Sequence, residues 1–438
     1  MILSRGEILG PEGAGGVLER LPVWLAETAA AEPPGPQCVV DACAALAQQV
    51  AEGAYDGVVR ALIAGGTVSP AQVLAAVQYF SRESLLFKLE TELGAERFPV
   101  RLTPPGAPFA IERRLAPLGV LLHIAAGNVD ALPAYSVVEG LLAGNVNLLK
   151  LPQADGGLSV LLLAELARLE PRLLPYIYVF DTPSGDLGTM GKLAALADGI
   201  VVWGGDEAVR AARRLAPPET RVVEWGHKLS FAYAVPDAPE EDLAGLARQI
   251  VSTRQLLCSS CQGVFVDTGG LAQLHAFCER FLPILDREAL AAPPPEPAAQ
   301  ARITLMQYTA RLEGSPGARL FPGARATVTA CEDSALEMSL CFGNCWAKRL
   351  PRAEIVPKLR PYKGYLQTAG LLCAPADWDA LSALLRRAGV SRIRTGGNMS
   401  VPIAGEAHDG EFALRRYARV VETELPGGQA RRRESPGA

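Results

Sequence analysis

The sequence predicts an α/β protein in which a parallel, doubly wound sheet is followed by a second α/β region. Three observations support this prediction. Residues 16–100 have the composition and periodicity of helices, strand-like and helix-like segments alternate from residue 111 to residue 215, and a second α/β pattern runs from residue 243 to about residue 400. Strands that alternate with helices are typical of βαβ units, whose strands lie parallel in one sheet.

The N-terminal part of the chain is predicted to be helical. Residues 39–51, 71–80 and 85–93 are rich in Ala, Leu, Gln and Glu, and their apolar residues recur at intervals of three and four. This spacing places the apolar side chains on one face of a helix, which can then pack on a core.

Short apolar strands and amphipathic helices alternate in the next part of the chain. The predicted strands are 120–125, 145–151, 176–180 and 199–203, and the predicted helices are 134–142, 158–169, 187–197 and 207–215. Turns rich in Gly, Asn and Ser follow these strands at Gly127-Asn128, Ser184-Gly185 and Gly204-Gly205. Because ligands of such sheets bind beyond the carboxyl ends of the strands, Gly185, Gly204 and Gly205 are candidates for contacting a cofactor.

The composition indicates a globular protein whose main partner is not a nucleic acid. The 438 residues include 42 Lys and Arg and 47 Asp and Glu, which gives a net charge of −5 with His neutral. Binding to a phosphate backbone needs a concentrated positive face. The one dense basic run, 431–433, lies in a tail with Gly and Pro that is expected to be disordered.

The sequence predicts a cytoplasmic protein without a membrane span. Residues 1–16 lack the basic and apolar regions of a signal peptide, and the apolar runs 118–126 and 140–149 fall short of the roughly 20 residues that a span needs. The nine cysteines are an odd number, and most of them are expected to be reduced, small core residues.

Several common motifs do not occur, and no metal site is predicted. Four scattered histidines and a single C-x-x-C, Cys258 to Cys261, do not make a zinc site. The pair leads into a predicted strand at 263–266, whereas a redox C-x-x-C usually opens a helix. The sequence has no G-x-G-x-x-G, P-loop or G-x-S-x-G motif. A nucleotide would therefore bind by another route, and an α/β-hydrolase is disfavoured.

Four residues remain as candidates for chemistry, and each also has an ordinary structural explanation. Asn128 could donate to an oxyanion or could serve a turn. Lys150 ends an apolar strand, where its ammonium could meet a ribose or phosphate or could only mark the strand end. Glu224 lies between apolar residues and could act as a general base, or it could be held by backbone donors. Cys258 lies in a small polar turn that could expose its sulfur, or it could be a buried, inert cysteine.

Five segments, taken in order, resemble the aldehyde dehydrogenase superfamily and, within it, the LuxC-type acyl-CoA reductases. They are residues 117–128, 140–150, 198–206, 223–231 and 255–262. The resemblance is closest over residues 110–270 and looser elsewhere. The separation of Glu224 and Cys258, 258 − 224 = 34 positions, also resembles the spacing of the superfamily's catalytic Glu and Cys.

The resemblance implies a mechanism and a role for each matching residue. Cys258 would attack the thioester carbonyl as a thiolate and form an enzyme thioester, and the Asn128 side chain would hold the oxyanion together with the cysteine's own backbone N–H. Lys150 would contact the adenosine ribose, and Gly204-Gly205 would form the turn under the pyrophosphate. Hydride from a nicotinamide would reduce the enzyme thioester to a thiohemiacetal, which would collapse to an aldehyde.

Departures from the family pattern refine these expectations. Gln153 stands where NAD-preferring members carry an acid, which favours NADPH as the cofactor. His227 stands where the superfamily usually has Gly. Cys261 stands where the LuxC-type family more often has Pro, and it could form a protective disulfide with Cys258 or simply pack. Glu224, which activates water in hydrolytic members, could here move a proton or tune the cysteine.

The resemblance implies an aldehyde-dehydrogenase-like fold, with a Rossmann-type cofactor domain and a second α/β catalytic domain. The expected limits are 1–100 for a helical part of the cofactor domain, 101–250 for the NADP-binding domain, 251–405 for the catalytic domain, and 406–438 for a C-terminal segment with a disordered tail. The superfamily's second acid is not evident in the C-terminal third, where Glu354 is the candidate.

The predicted function is NADPH-dependent reduction of an acyl thioester, on CoA or on a carrier protein, to an aldehyde. Two alternatives remain: NAD(P)-dependent oxidation of an aldehyde to an acid, which Glu224 would allow, and a catalytically silent acyl-binding protein, which the divergent C-terminal third would allow. The resemblance also implies an acyl-activating partner protein and a homo-oligomer.

Overall fold

The computed structural model describes residues 1–64, 73, 77–125, 131–153, 155–313 and 317–425. The chain forms two units: Met1–Gly226 with the segment from Ile403 onward, and His227–Pro402. Each unit is built around a seven-stranded sheet that is largely parallel. The predicted fold class, two successive α/β regions, is therefore confirmed.

The first unit alternates strands and helices after a helical N-terminal part. Its strands are β1 (Ile2–Ser4), β2 (Glu7–Leu9), β3 (Val100–Leu102), β4 (Ala110–Pro117), β5 (Val120–Ile124), β6 (Val146–Lys150), β7 (Ile177–Phe180), β8 (Gly199–Trp203), β9 (Arg221–Trp225) and, from the end of the chain, β17 (Ala418–Leu425). Its helices are α1 (Ala14–Ala29), α2 (Pro36–Ala51), α3 (Asp56–Ala64), α4 (Arg82–Leu93), α5 (Leu132–Leu142), α6 (Leu158–Leu169), α7 (Leu187–Ala195), α8 (Asp206–Leu215) and α14 (Ala413–Arg416). The predicted helix at 71–80 lies largely outside the described residues.

The main sheet of the first unit has the order β2-β1-β7-β6-β5-β8-β9, in which β7, β6, β5, β8 and β9 run parallel. Strand β6 is buried along its whole length, as expected for a central strand covered on both faces. Because these strands are parallel, β5 to β8 all end at one edge of the sheet, named here the carboxyl edge of the first unit. Strands β17, β4 and β3 form a separate antiparallel sheet.

A buried polar network links β5, α5, β6 and β8. The imidazole of His123 bonds Ser136 Oγ at 2.8 Å and Asn147 Oδ1 at 2.9 Å, and Ser136 Oγ also accepts the indole N–H of Trp203 at 3.1 Å. Burial lowers the pKa of His123 to about 4, so the ring stays neutral well below neutral pH. Helix α5 approaches β6 closely because residue 140 is glycine: a Cβ there would lie 1.8 Å from Asn147 Oδ1.

The C-terminal segment is held in the first unit by a buried charge cluster. Lys88 Nζ lies 2.5 Å from Glu92 Oε1 and 2.7 Å from Glu139 Oε1, and all three side chains are buried. The second oxygen of Glu92 accepts the backbone N–H of Leu414 at 2.8 Å. Buried charges are costly unless they are paired and hydrogen-bonded. This cluster therefore couples α4 and α5 to the segment that contains α14.

The second unit contains the other sheet. Its strands are β10 (Leu229–Ala234), β11 (Cys261–Val266), β12 (Ala318–Pro322), β13 (Thr327–Cys331), β14 (Asn344–Arg349), β15 (Leu366–Leu372) and β16 (Arg392–Thr395). Its helices are α9 (Glu240–Ser252), α10 (Leu271–Ala291), α11 (Pro297–Glu313), α12 (Ile355–Leu359) and α13 (Pro375–Ala388). The sheet order is β12-β13-β14-β11-β10-β15-β16, and only β12 runs antiparallel to its neighbour.

The sequence predicted a domain limit at residue 250. The division between the two units lies earlier in the chain, at Gly226/His227. Strand β10 is a central strand of the second sheet, between β11 and β15. The buried apolar residues of α9 belong to the core of the same unit. Residues 229–252 are therefore part of the second unit because their apolar side chains pack on its sheet.

Candidate active site

Cys258 lies in a tight turn just before β11. Ser260 closes this turn twice: its backbone N–H donates to the Leu257 carbonyl at 3.0 Å, and its hydroxyl accepts the Leu257 N–H at 3.1 Å. The Cys258 side chain is exposed, whereas Ser259 and Ser260 are buried. Because the turn leads directly into β11, it lies at the amino edge of the second sheet. The turn presents the thiol on the surface of its unit.

The neighbouring thiol of Cys261 has the opposite environment. Its side chain is buried at the start of β11, and its sulfur donates to the Gly263 carbonyl at 3.2 Å. Burial raises the pKa of the Cys261 thiol to about 12. All nine cysteines of the chain are described and reduced, so no disulfide joins Cys261 to Cys258. Of the two explanations for Cys261, packing is the one that fits the structure.

A buried glutamine holds the start of this turn. Gln255 and the preceding Arg254 have positive φ values, 61° and 51°, which cost non-glycine residues on the order of 1 kcal/mol each. The Gln255 amide nitrogen donates to the Cys261 carbonyl at 3.0 Å, and its oxygen accepts the Gly343 N–H at 3.0 Å. These buried bonds offset the backbone strain and connect the turn to the chain just before β14.

The loop of residues 339–343, which precedes β14, is held by a second glutamine. Gln262 Nε2 donates to the Gln255 carbonyl at 3.0 Å, and Gln262 Oε1 accepts the Ser339 hydroxyl at 2.8 Å and its N–H at 3.2 Å. Cys341 and Phe342, in this loop, also have positive φ values, 63° and 53°. No sequence motif marks the two glutamines as supporting residues. The only signal is their place at both ends of the cysteine segment 255–262.

His227 and Glu354 lie at opposite edges of the second sheet. His227 precedes β10 at the amino edge, where its ring lies 6.2 Å from that of Tyr365, measured between centroids. Glu354 follows β14 and therefore lies at the carboxyl edge. A strand of this length spans about 20 Å. Since β14 is parallel to β11, the structure does not bring Glu354, the candidate second acid, to the edge that holds Cys258.

Lys150 is the last residue of β6, at the carboxyl edge of the first unit. Its side chain is buried, and Nζ donates to Ser184 Oγ at 2.9 Å, beyond the end of β7. Burial lowers the pKa of Lys150, and the nearby carboxylate of Asp181 opposes this effect. A buried ammonium needs polar groups around it. Lys150 therefore makes this edge suitable for a polar or anionic ligand.

Gly185, Gly204 and Gly205 follow β7 and β8 at the same edge. A Cβ on Gly185 or Gly205 would meet nothing within 4 Å, so the backbone there faces open space. Gly205 is also the N-cap of α8, and helix N-termini favour anions. The first turn of α8 carries two acidic residues, whose charges would oppose a pyrophosphate at this helix end. The cofactor contact of these glycines stays a prediction.

Glu224 forms an ion pair within the first unit. It lies on the edge strand β9, and both of its carboxylate oxygens accept bonds from the guanidinium of Arg213 in α8. The bond from Nη2 to Oε2 is 2.8 Å long. A bidentate pair of this kind is directional. The carboxylate is therefore satisfied by an arginine, and not by the backbone donors that the sequence analysis considered.

Gly127 and Asn128, the predicted oxyanion segment, lie outside the described residues.

Within the described ranges, no group of three or more His, Cys, Asp and Glu side chains could hold a metal ion. In that same part of the chain, none of the helices combines the length and the apolar character that a membrane crossing requires.

Comparison with known proteins gives one family and several curated relatives. The family described as "Acyl-CoA reductase (LuxC)" matches residues 36–420. The long-chain acyl-protein thioester reductase of Photorhabdus luminescens is 23% identical over 370 residues, which are 79% of this chain and 72% of the relative. The enzyme of the same name from Aliivibrio fischeri is 25% identical over 324 residues, 71% of this chain and 65% of the relative.

Solved structures share the fold over nearly the whole chain. An NAD-dependent aldehyde dehydrogenase from Sinorhizobium meliloti superposes with a TM-score of 0.71 at 16% identity, covering 97% of this chain and 94% of that one. A glyceraldehyde-3-phosphate dehydrogenase from Methanocaldococcus jannaschii, complexed with NADP, gives 0.69 at 12% identity, with 96% and 95% covered. The aldehyde-dehydrogenase-like fold expected from the sequence is therefore confirmed.

Proposed function

The chain belongs to the acyl-CoA reductase (LuxC) family, and we propose that it reduces a long-chain acyl thioester to an aldehyde through an acyl-enzyme on Cys258, with NADPH as the hydride donor. One observation carries the choice of nucleophile. Of the two cysteines in the segment 255–262, Cys258 is exposed on a hydrogen-bonded turn, and Cys261 is buried with a pKa of about 12. Only an accessible thiol that can ionise can attack a substrate.

The proposed reaction uses Cys258 as nucleophile and as leaving group. Its thiolate bonds to the thioester carbonyl carbon, and the carrier's sulfur leaves with the electrons of the broken bond and takes a proton from solvent. When bound, the nicotinamide cofactor supplies the hydride that reduces the enzyme thioester. The Cys258 backbone N–H and, as the resemblance implies, the Asn128 amide stabilise the negative oxygen. The C–S bond then breaks, which releases the aldehyde and restores the thiolate.

The cofactor is assigned to the carboxyl edge of the first unit. The buried ammonium of Lys150 and the open backbone at Gly185 and Gly205 are compatible with a dinucleotide. The choice of NADPH rests on Gln153, an uncharged residue where NAD-preferring relatives of the fold carry an acid. A competing charge is Asp181, which interacts with Lys150. Comparing kcat/KM for NADPH and NADH tests the choice. A preference for NADH that is lost in Asp181→Asn would contradict it.

The ion pair of Glu224 supports reduction over the alternative, oxidation of an aldehyde to an acid. Oxidation needs a base that activates water, and both carboxylate oxygens of Glu224 are bound to Arg213. Reduction needs no such base. If the purified chain oxidised an aldehyde with NADP⁺ but consumed no NADPH with acyl-CoA, oxidation would replace reduction as the proposed function. Acyl binding without either reaction would support a silent acyl-binding protein.

The nucleophile is tested by trapping the acyl-enzyme. The full chain is incubated with radiolabelled long-chain acyl-CoA in the absence of NADPH, and the labelled residue is identified by peptide mapping. We expect label on Cys258, its loss on addition of NADPH, and a decrease of at least 1000-fold in NADPH consumption for Cys258→Ala. Cys261→Ala is the matched control and should retain both labelling and turnover. Labelling that persists in Cys258→Ala and disappears in Cys261→Ala would contradict the assignment.

The proposed form of the substrate is based on the relatives' name, long-chain acyl-protein thioester reductase. We propose that this chain also accepts long acyl groups and can receive them from a protein. Rates measured on short-chain and long-chain acyl-CoA, and on the same acyl groups attached to a carrier protein, test this proposal.

The expected acyl-activating partner and the homo-oligomer stay predictions. Light scattering of the purified chain is the first measurement for the oligomer.

A further inference from the structure

Strand β10 departs from regular pairing at Ser230. Its register shifts between Ser230 and Ala232 on the β11 side, and between Leu229 and Phe231 on the β15 side. Irregularities of this kind interrupt the ladder of backbone bonds and re-aim side chains. Ser230 is fully buried at this point, which lies at the amino end of β10. Its hydroxyl is thus placed among backbone groups of the neighbouring segments.

The Ser230 hydroxyl connects three parts of the second unit. It accepts the backbone N–H of Thr368, in β15, at 3.0 Å. It donates to the backbone carbonyl of Cys258 at 2.6 Å. A buried hydroxyl with both bonds formed has little freedom, because water cannot compete for either partner. The Cys258 carbonyl is therefore tied to the centre of the sheet, although its side chain is exposed.

We propose that Ser230 is a positioning residue that holds Cys258 in the orientation needed to attack the thioester, an inference that rests on the proposed function. The peptide group before Cys258 is held through the Leu257 carbonyl, which accepts the Ser260 N–H at 3.0 Å. The peptide group after Cys258 is held through the carbonyl of Cys258 itself, which accepts the Ser230 hydroxyl. Both peptide groups that flank the Cys258 Cα are thus fixed. The sulfur can then move only by rotation between side-chain rotamers.

This restriction matters because two groups of one residue act together. The sulfur forms the bond to carbon, and the backbone N–H of the same residue stabilises the oxygen of that carbon. Their relative geometry depends on φ and on the side-chain rotamer of Cys258. The two fixed peptide groups on either side of the residue, held by Ser260 and Ser230, keep the residue in place relative to the sheet. Without the Ser230 hydroxyl, the peptide after Cys258 can rotate, and a displacement of about 1 Å at a reacting atom can cost about 100-fold in rate.

The test compares Ser230→Ala with a serine that makes the same kind of bond elsewhere. Ser334 Oγ donates to the Arg349 carbonyl at 2.8 Å, at the carboxyl end of β14, so Ser334→Ala is the matched control. Ser230→Cys, which keeps a weaker donor, is the second variant should Ser230→Ala fold poorly. For each full-length protein we measure the rate of acyl-enzyme formation at saturating acyl-CoA, the half-saturating concentration, and the rate of Cys258 alkylation by iodoacetamide.

We expect Ser230→Ala to lower the saturating acylation rate at least tenfold, with Ser230→Cys between it and the wild type. The half-saturating concentration and the alkylation rate should change less than threefold, since alkylation needs no oxyanion site, and Ser334→Ala should acylate like the wild type. Equal acylation rates in wild type and in both Ser230 variants would overturn the proposal, as would an equal loss in Ser334→Ala. A wild-type chain that is never acylated at Cys258 would instead overturn the proposed function on which the inference rests.

Discussion

The two edges that carry the candidate site residues are built in different ways. At the carboxyl edge of the first unit, Lys150, Gly185 and Gly205 each belong to the strand end or turn of their own βα unit. At the amino edge of the second unit, the turn with Cys258 is held by hydrogen bonds to distant parts of the chain. Gln255 bonds Gly343, 88 positions away, and Thr368 is linked to the Cys258 turn through the Ser230 hydroxyl.

The two edges should therefore respond differently to substitutions. A ligand edge made of strand ends and glycine turns depends on few side chains, so the loss of one contact weakens ligand binding and leaves the fold intact. A turn with strained backbone and buried amides depends on every member of its network, because each buried polar group left unpaired costs about 1–3 kcal/mol. The four predictions below test this contrast, starting with the largest expected effect.

Gln255→Leu should have the largest effect on folding. It leaves the Cys261 carbonyl and the Gly343 N–H without the amide that binds them, in a loop with strained backbone. We expect a loss of about 3–5 kcal/mol in the free energy of unfolding, measured by urea denaturation. Gln300→Leu, at an exposed glutamine of α11, should change it by less than about 0.5 kcal/mol. A loss below about 1 kcal/mol in Gln255→Leu would show that the network is dispensable.

The stability of the first unit should decrease in acid because of His123. Its pKa is lowered by burial from 6.5 to about 4, so between these values the unfolded chain binds a proton that the folded chain does not. The contribution is complete above pH 6.5 and is lost as the pH falls towards 4, by up to about 2–3 kcal/mol. Urea denaturation at several pH values should show this loss, and His123→Gln should reduce it. An unchanged pH dependence in His123→Gln would assign the effect to other groups.

Lys150→Met should weaken cofactor binding without affecting the fold of the edge. The methionine keeps most of the buried stem and removes the ammonium that bonds Ser184. We expect the KM for NADPH to rise about tenfold, equivalent to about 1.4 kcal/mol, with kcat changed less than threefold. Lys358→Met, at an exposed lysine of the second unit, is the control. A kcat that falls while KM stays constant would place Lys150 outside the cofactor site.

Glu224→Gln should have the smallest effect on thioester reduction. Since the carboxylate is paired with Arg213 and reduction needs no activated water, we expect NADPH consumption on acyl-CoA to change less than threefold. Aldehyde oxidation with NADP⁺ is measured on the same proteins, with Arg213→Gln as the matched variant that removes the other partner. A loss of tenfold or more in thioester reduction would show that Glu224 takes part in the reaction.

Much of the fold could be predicted from the sequence, because its signals are local. The strand at 199–203 and the helix at 158–169 were predicted at the bounds that the structure has. Each depends on a short run of apolar residues with a characteristic period. The limit at residue 250 differed from the structure because the assignment of 229–252 depends on which sheet these residues pack on, and periodicity does not report this.

The site could be predicted only in part. The sequence pointed to Cys258 as the nucleophile, but it did not show which of the two sulfurs in the segment 255–262 is accessible, because an exposed turn and a buried strand start lie three residues apart. Glu354 was chosen for its residue type, and its position at the opposite edge of the sheet follows from the direction of β14. Ser230 carried no motif at all, since its importance comes from a register shift and from partners in other strands.

The sequence was sufficient to predict two successive α/β regions, the strand and helix alternation between residues 120 and 215, and the family resemblance that drew attention to Cys258. These depend on the periodicity of side chains, on turn residues and on ordered motifs, all of which lie along the chain. Three features could be seen only in the folded chain: Cys258 is exposed while Cys261 is buried, Glu224 is paired with Arg213, and Ser230 bonds the Cys258 turn. Burial and hydrogen-bond partners depend on which segments meet in space, and Ser230 and Thr368, which meet here, are 138 positions apart in the chain.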